Sequence, residues 1–366
     1  MFKRHLLNVA LALCITSPVA LAQDGAHAIA VDAAARTAVI ASLSEKLRSN
    51  YVFPDVAKNL SAALISKNVH GGYEKATNTD SFSDALSEDL RDLGKDGHFR
   101  VAYAPGAHPH ATTLHDDKPS KQEQEAMRQE VVEMGYGIQR VERLTGNIGY
   151  MELRAFGPTD LVGPALSSAM TLLSGTDALI LDLRRNSGGE PSTVAYLMSH
   201  LFAAGDRRHL NDIYTRPTGK TDQYWTTASV QPHYSKPVYV LTSPRTFSGG
   251  EEFAYDAQTQ KRATLVGEIT GGGANPGDDF SIGHDFVAFI PTGRAINPIT
   301  HTNWEHVGVK PDIAVPAADA QKTAYATALR TLVAAAKDPD EKADLQETLQ
   351  KVESGVADVP NYAARR

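Results

Sequence analysis

Two short apolar runs constrain this chain most. Residues 179–183 read Leu-Ile-Leu-Asp-Leu and residues 238–242 read Val-Tyr-Val-Leu-Thr. Runs of this length with almost no polar alternation fit strands covered on both faces. Each is followed by a polar turn with a glycine pair, Gly188-Gly189 or Gly249-Gly250, and then by a helix-like stretch, 191–203 and 249–260. A strand-like stretch precedes them at 148–153 and another follows at 263–267. Strand, helix, strand, helix, strand at these lengths predicts right-handed βαβ units and a mostly parallel sheet, an α/β fold. Residues 286–290 and 294–296, around Pro291-Thr292-Gly293, read as a hairpin.

Ahead of this core, over residues 147–316, the pattern is helical. Val39, Leu43 and Leu47 recur every four residues. Val56, Leu60 and Leu64 do so after Pro54-Asp55, and Phe82, Leu86 and Leu90 do so after Asp80, with Gly94 closing the stretch. They predict a small helical bundle domain over 23–100. Residues 104–120 carry His108, His110 and His115 among prolines; with no carboxylate–histidine spacing on a regular element, this reads as a solvated loop and not a metal site. Ser120 and Glu123 form a capping box opening a charged helix to about Met134, so 101–146 reads as linker and helix. Residues 317–366 read as two helices broken at Asp338-Pro339.

Residues 1–22 are expected to be removed as a signal peptide. Lys3, Arg4 and His5 precede a short apolar stretch, and Ala20-Leu21-Ala22 suits a signal peptidase. The single cysteine, Cys14, lies in this leader, which leaves the mature chain without a thiol for a disulfide, a metal or nucleophilic attack. The formal net charge is −7 and no basic run occurs, which argues against nucleic acid as a partner. No second apolar stretch approaches a membrane span. The expectation is a periplasmic or secreted protein, with no membrane insertion after cleavage.

The chemistry-bearing candidates sit at the turns. Ser248 stands where a buried strand gives way to a helix, so unpaired N–H groups and the helix dipole would favour a negative charge beside it; its bland reading is a helix cap. The turn 182–189, Asp-Leu-Arg-Arg-Asn-Ser-Gly-Gly, has the same setting and reads either as an anion-binding turn or as a tight βα turn. If the two strands are neighbours, both turns share the C-terminal edge of one sheet, where ligands of open α/β sheets bind. A nucleophile and N–H donors there suit acyl transfer. Thirteen histidines compete for the role of base. His98, in Asp96-Gly97-His98, is one, against the ordinary reading of an inert loop histidine.

Taken together these segments resemble the superfamily of tail-specific (C-terminal processing) peptidases, tricorn core peptidases and interphotoreceptor retinoid-binding proteins, nearest its bacterial retinoid-binding-protein-like branch. The resemblance rests on "NYVFPDVA" at 50–57, "DGHFRV" at 96–101, "GNIGYMELRAF" at 146–156, "LDLRRNSGG" at 181–189, "TSPRTFSGGEEFAY" at 242–255, "GEITGGGANPG" at 267–277 and "NWEHVGVKPDI" at 303–313. It implies a crotonase-like αββ spiral core with an N-terminal helical bundle. It implies Ser248 as nucleophile, and the backbone N–H groups of Gly249 and Gly188, with Gly189 close behind, as the oxyanion hole. It further implies His98 as base and Glu305 as the carboxylate orienting it, for which Glu251 and Glu252 are rivals; for Glu251, complementing the helix dipole is the preferred reading. Gly273 stands where tail-specific peptidases carry their lysine base, so a Ser–Lys dyad is not expected. Residues 101–146 are too few for the PDZ domain of those enzymes. The implied activity is a periplasmic serine endopeptidase acting on peptides or unfolded proteins, without cofactor or metal. The alternative is a non-catalytic binder of hydrophobic, retinoid- or lipid-like ligands on the same fold. A crotonase-type acyl-CoA enzyme fits poorly with an exported chain.

Overall fold

The computed structural model describes residues 28–107 and 120–355. The expected leader and the histidines at 108, 110 and 115 lie outside them. The chain divides into two compact units, neither contiguous: 1–130 with 211–224 and 272–307, and 131–210 with 225–271 and 308–366. This differs from a helical domain ending near residue 100 followed by an uninterrupted core.

The second of these units holds the sheet. Its six strands lie in the order Ile313–Ala314, Thr264–Gly267, Val238–Thr242, Ala178–Asp182, Ile148–Leu153, Ile138–Leu144. The first five are mutually parallel and only Ile138–Leu144 runs antiparallel to its neighbour. Leu179 stands opposite Val238 and Asp182 opposite Leu241, so the two apolar runs are adjacent. Both runs are buried throughout, which is why neither alternates. One sheet face, with Tyr150, Ile180, Leu241 and Val266, shares a core with Ala320, Ala324 and Leu329 of the helix Ala317–Ala335 and Leu345 of Pro339–Ser354. The break between those helices falls at Asp338, whose side chain accepts the N–H groups of Asp340 and Glu341, while Pro339 opens the next helix with no N–H to satisfy.

Asp182 ends its strand buried, and Arg184 and the Tyr150 hydroxyl (2.6 Å) both donate to it. Burial pushes this carboxyl up, but the bonds from Arg184 and Tyr150 outweigh it and hold the group below the usual carboxylate range. A folded pKa below the unfolded value of about 3.9 stabilises the fold fully above about pH 4, and that stabilisation is lost as pH falls through the lower folded value. Asp182→Asn is therefore expected to cost about 3 kcal/mol at pH 7 and much less near pH 2, read from urea unfolding at the two pH values.

In the first unit, sequence expectation and structure part. Helices form at Ala33–Asn50, Pro54–Val69 and Thr79–Gly94. The third starts two residues earlier than Asp80 suggested: Asn78 accepts the Ser81 N–H and Ser81 Oγ accepts the Asn78 N–H. Yet the three are not a self-sufficient bundle. Leu43, Leu60, Leu64, Phe82 and Leu86 share one core with Phe280, Ile282, Phe286, Ala288 and Ile290. The latter come from strands Gly277–Gly283 and Phe286–Pro291, which pair antiparallel with each other and with Arg100–Tyr103. The hairpin turn is thus His284-Asp285, both at positive φ (50° and 58°), as a two-residue type I′ turn requires. Pro291-Thr292-Gly293 is not a hairpin turn. The N–H groups of Thr292 and Gly293 both donate to the Pro276 carbonyl, and Gly293–Ile296 then pairs with residues 212–215 in a different sheet. The Pro-Thr-Gly composition misled because it carries the stronger turn signal of the two.

Candidate active site

The turns after Ala178–Asp182 and Val238–Thr242 leave the same sheet edge and are bonded to one another. The Leu183 N–H donates to the Leu241 carbonyl (3.0 Å), Thr246 Oγ1 to the Leu183 carbonyl (2.8 Å) and the Phe247 N–H to the Asn186 carbonyl (3.0 Å). Ser248 follows, with φ 51° and ψ −122°. A capping residue has extended backbone; Ser248 instead occupies a region that any β-carbon disfavours, and such strain persists only where the surroundings enforce it. Ser248 does cap the helix, in a reciprocal box with Glu251, but it does so on this strained backbone. Glu251 does the enforcing: fully buried, it accepts the Ser248 N–H on Oε2 (2.9 Å) and the Thr270 hydroxyl on Oε1. The Ser248 carbonyl accepts the N–H groups of Glu251 and Glu252. Glu251 thus ties down the serine backbone, a larger part than complementing the dipole.

The glycine turn closes on this serine. A Cβ added at Gly188 would stand 2.7 Å from Ser248 Cβ and 2.9 Å from the Gly249 nitrogen, and one added at Gly249 would stand 3.0 Å from the Gly189 nitrogen. Among the described residues, the N–H groups of Gly189 and Gly249 have no acceptor. One donor from each turn thus lies beside the serine, as a developing oxyanion needs. The Gly188 N–H, expected as a donor, is already given to Asn186 Oδ1 (2.8 Å). Of the two glycines in this turn, Gly189 is the one whose N–H has no acceptor among the described residues. Asn186 is buried, and its Nδ2 also donates to the Leu153 carbonyl (3.1 Å). It joins the glycine turn to strand Ile148–Leu153, so Asn186→Ala is expected to cost about 1–3 kcal/mol, measured by urea unfolding.

His98 and Glu305 belong to the other unit. The turn Asp96-Gly97-His98 leads into Arg100–Tyr103, and both Asp96 and His98 are buried. Asp96 Oδ1 accepts the backbone N–H of His98 (3.0 Å) and lies 3.2 Å from its Nδ1. Its Oδ2 accepts Asn275 Nδ2 (3.0 Å) and the Tyr51 hydroxyl (3.4 Å). Burial pushes the Asp96 carboxyl up, but the bonds from His98 and Asn275 outweigh it and hold the group below its usual range. Burial first, then the charges of Asp96 and Glu305, push the Tyr51 hydroxyl far above its ordinary value. Asp96, His98 and Glu305 each present one donor atom within 4.8 Å of the other two. Such a set could face a metal ion, and both Asp96 oxygens already accept from protein donors. Glu305 is set by the 272–274 backbone: Ala274 N–H donates to its carboxylate, Trp304 Nε1 to the Gly273 carbonyl (2.7 Å) and His306 N–H to the Gly272 carbonyl (2.9 Å). Gly273, in the place of a lysine, is thus part of the support for Glu305.

Sequence reasoning missed Asp96, Tyr51 and Asn275. The Asp-x-His spacing, in which an aspartate bonds the N–H two residues on, is a local signal that could have found Asp96. Tyr51 and Asn275 lie 45 and 179 positions from Asp96 and carry no such signal, although both fall inside motifs already noted.

Residues 147–315 match peptidase family S41, and residues 20–139 match the N-terminal domain of peptidase S41 in eukaryotic IRBP. The first match contains Ser248, both glycine turns and Glu305, and the second contains His98. Carboxyl-terminal-processing peptidase 2, chloroplastic, of Arabidopsis thaliana is 30% identical over 171 residues, 46% of this chain and 32% of that protein. Carboxyl-terminal-processing peptidase 1, chloroplastic, of the same plant is 24% identical over 179 residues, 49% of this chain and 36% of that protein. The chain thus spans about a third of the length of these relatives. Among solved structures, mature CPAF superposes with a TM-score of 0.53 at 12% identity, covering 87% of this chain and 96% of that one. A candidate peptidase from Parabacteroides merdae ATCC 43184 gives 0.52 at 18%, covering 77% and 90%. At these identities the likeness is one of fold, and it is the α/β fold of S41 proteases.

Proposed function

We propose that this chain is a serine endopeptidase acting on peptides or unfolded proteins, with Ser248 as nucleophile, His98 as general base, Glu305 as a supporting carboxylate and the N–H groups of Gly249 and Gly189 as oxyanion donors. The observation that carries this reading is the strained Ser248 backbone, held beside two N–H donors with no other acceptor among the described residues. Ser248 Oγ would attack the scissile carbonyl carbon as its proton passes to the imidazole, and the carbonyl oxygen would take its negative charge against the two N–H groups. Collapse would return the proton to the leaving amine, and water would repeat the sequence on the acyl-enzyme.

The deciding experiment is labelling of the purified protein with a fluorophosphonate. Modification at Ser248 supports the peptidase. The match of residues 20–139 to an IRBP domain favours the second reading, a non-catalytic binder of hydrophobic ligands, and folded protein that takes no label would support that instead. His98→Ala is expected to lower kcat on the order of 10³-fold, and Glu305→Gln by less. An imidazole base works only when neutral. Thus kcat/KM should fall on acidification through roughly pH 6–7, where histidine side chains titrate, and level off above. A rate still rising through pH 9 would indicate a lysine base. Residues 1–22 support export to the periplasm, with a mature N-terminus at Gln23; N-terminal sequencing of the cellular protein that began at Met1 would end that proposal. Among the described residues no helix is long and apolar enough to cross a membrane.

A further inference from the structure

The buried pair of Asp96 and His98 carries an inference that rests on this reading and refines it. We propose that Asp96, and not Glu305, is the positioning residue that fixes the tautomer of His98. One oxygen, Asp96 Oδ1, holds both the backbone N–H of His98 (3.0 Å) and its Nδ1 (3.2 Å), so the ring is oriented from within its own turn. The other, Oδ2, is occupied by Asn275 Nδ2 and the Tyr51 hydroxyl, which stops the carboxylate from rotating and keeps it anionic. An anionic carboxylate accepts and never donates, so the ring nitrogen facing it must carry the proton. That leaves Nε2 with the lone pair, the state a general base needs. Phe289 stacks on the imidazole (centroids 6.3 Å apart, planes at 29°) and restricts rotation of the ring out of this plane.

Glu305 serves differently. Its carboxylate is anchored to the Ala274 N–H and lies 3.5 Å from Nδ1 of His306. Within 4.8 Å of the pair, it adds a second negative charge that stabilises the imidazolium formed during attack. Tyr51 and Asn275 act one step further out, through Asp96.

The test begins with the full-length protein itself, labelled with ¹⁵N-histidine, the His98 signals being those lost in His98→Ala. Nitrogen–proton correlation spectra of the neutral ring should show the proton on Nδ1. A proton on Nε2 overturns the proposal, and this measurement needs no substitution at Asp96. Asp96→Asn presents an amide that can donate to Nδ1; it should move the proton to Nε2 and lower kcat on the order of 10³-fold, with KM changed less than about threefold. Glu305→Gln should keep the Nδ1-protonated form while lowering kcat. If Asp96→Asn fails to fold, the native spectrum and Glu305→Gln decide. Asp96→Asn with native kcat, or Glu305→Gln with a switched tautomer, sinks the assignment to Asp96. A fully active His98→Ala instead sinks the underlying reading of His98 as base, whatever the tautomer.

Discussion

Ser248→Ala is expected to cleave peptides at least about 10⁴-fold more slowly than the native protein while remaining folded. Removing the nucleophile of a hydrolytic unit removes nearly all that the unit contributes, leaving only water attack assisted by the remaining donors and by binding. The fold should survive because Glu251 and backbone atoms still fix this turn, the Ser248 N–H going to Glu251 Oε2 and its carbonyl to the next helical turn, while loss of the hydroxyl's half of the capping box costs about 1 kcal/mol. Alanine keeps the β-carbon, so the strain at φ 51° stays. Ser248→Gly should be equally inactive but more stable by about 1 kcal/mol, because glycine occupies that region without penalty. The pair separates catalysis from stability: peptide turnover and urea midpoints measured on both variants should diverge. Turnover by Ser248→Ala near the native rate would remove the serine mechanism.

The second large effect is structural. Gly189→Ala is expected to destabilise the protein by about 4 kcal/mol or more, or to prevent folding. Gly189 has φ 132°, and a Cβ there would stand 2.0 Å from the Phe156 carbonyl oxygen and 2.6 Å from its carbon. Those are backbone atoms, and the bonds on either side pin them: the Phe156 N–H donates to the Gly188 carbonyl (2.8 Å) and the Glu190 N–H to the Phe156 carbonyl (2.7 Å). Nothing there can move aside without breaking the contact that carries the glycine turn beside Ser248. The control is Gly205→Ala, where φ is also positive (85°) but nothing lies within 4 Å. It should lose only the local backbone cost, about 1 kcal/mol. Equal urea midpoints for the two variants would show that the close approach at Phe156 is unimportant.

The sheet and the serine turn were readable in the sequence because their determinants are local. Leu179 to Leu183 and Val238 to Thr242 announce buried strands by composition, and glycine pairs at their ends announce close approach. That the Gly188 N–H is already taken was not readable. It depends on the Asn186 side chain turning back onto a backbone N–H two residues on, and a turn motif does not say which N–H its asparagine will consume. The hairpin at 284–285 was hidden for a related reason: His-Asp is a weak turn signal next to Pro-Thr-Gly, although the backbone there has both residues at positive φ. The surroundings of His98 were least legible, since Tyr51, Asp96, Asn275 and Glu305 come from four separated segments, and only Asp96 is near enough in sequence to predict.

The core shared by the N-terminal helices and the strands at 277–291 also sets an order of events during synthesis. The helices over 33–94 are made early, but the apolar faces of Leu43, Leu60, Phe82 and Leu86 wait for Phe280, Ile282 and Phe286. At ordinary translation speeds, roughly 10–40 s separate the emergence of His98 from that of Glu305. The sheet strands from Ile148–Leu153 through Thr264–Gly267, with Ser248 and both glycine turns, are synthesised inside that interval. Asp96 of a growing chain therefore waits for Asn275 while the residues of those strands are already made. The surroundings of His98 are completed late, so a chain stopped before residue 275 lacks the amide that holds Asp96.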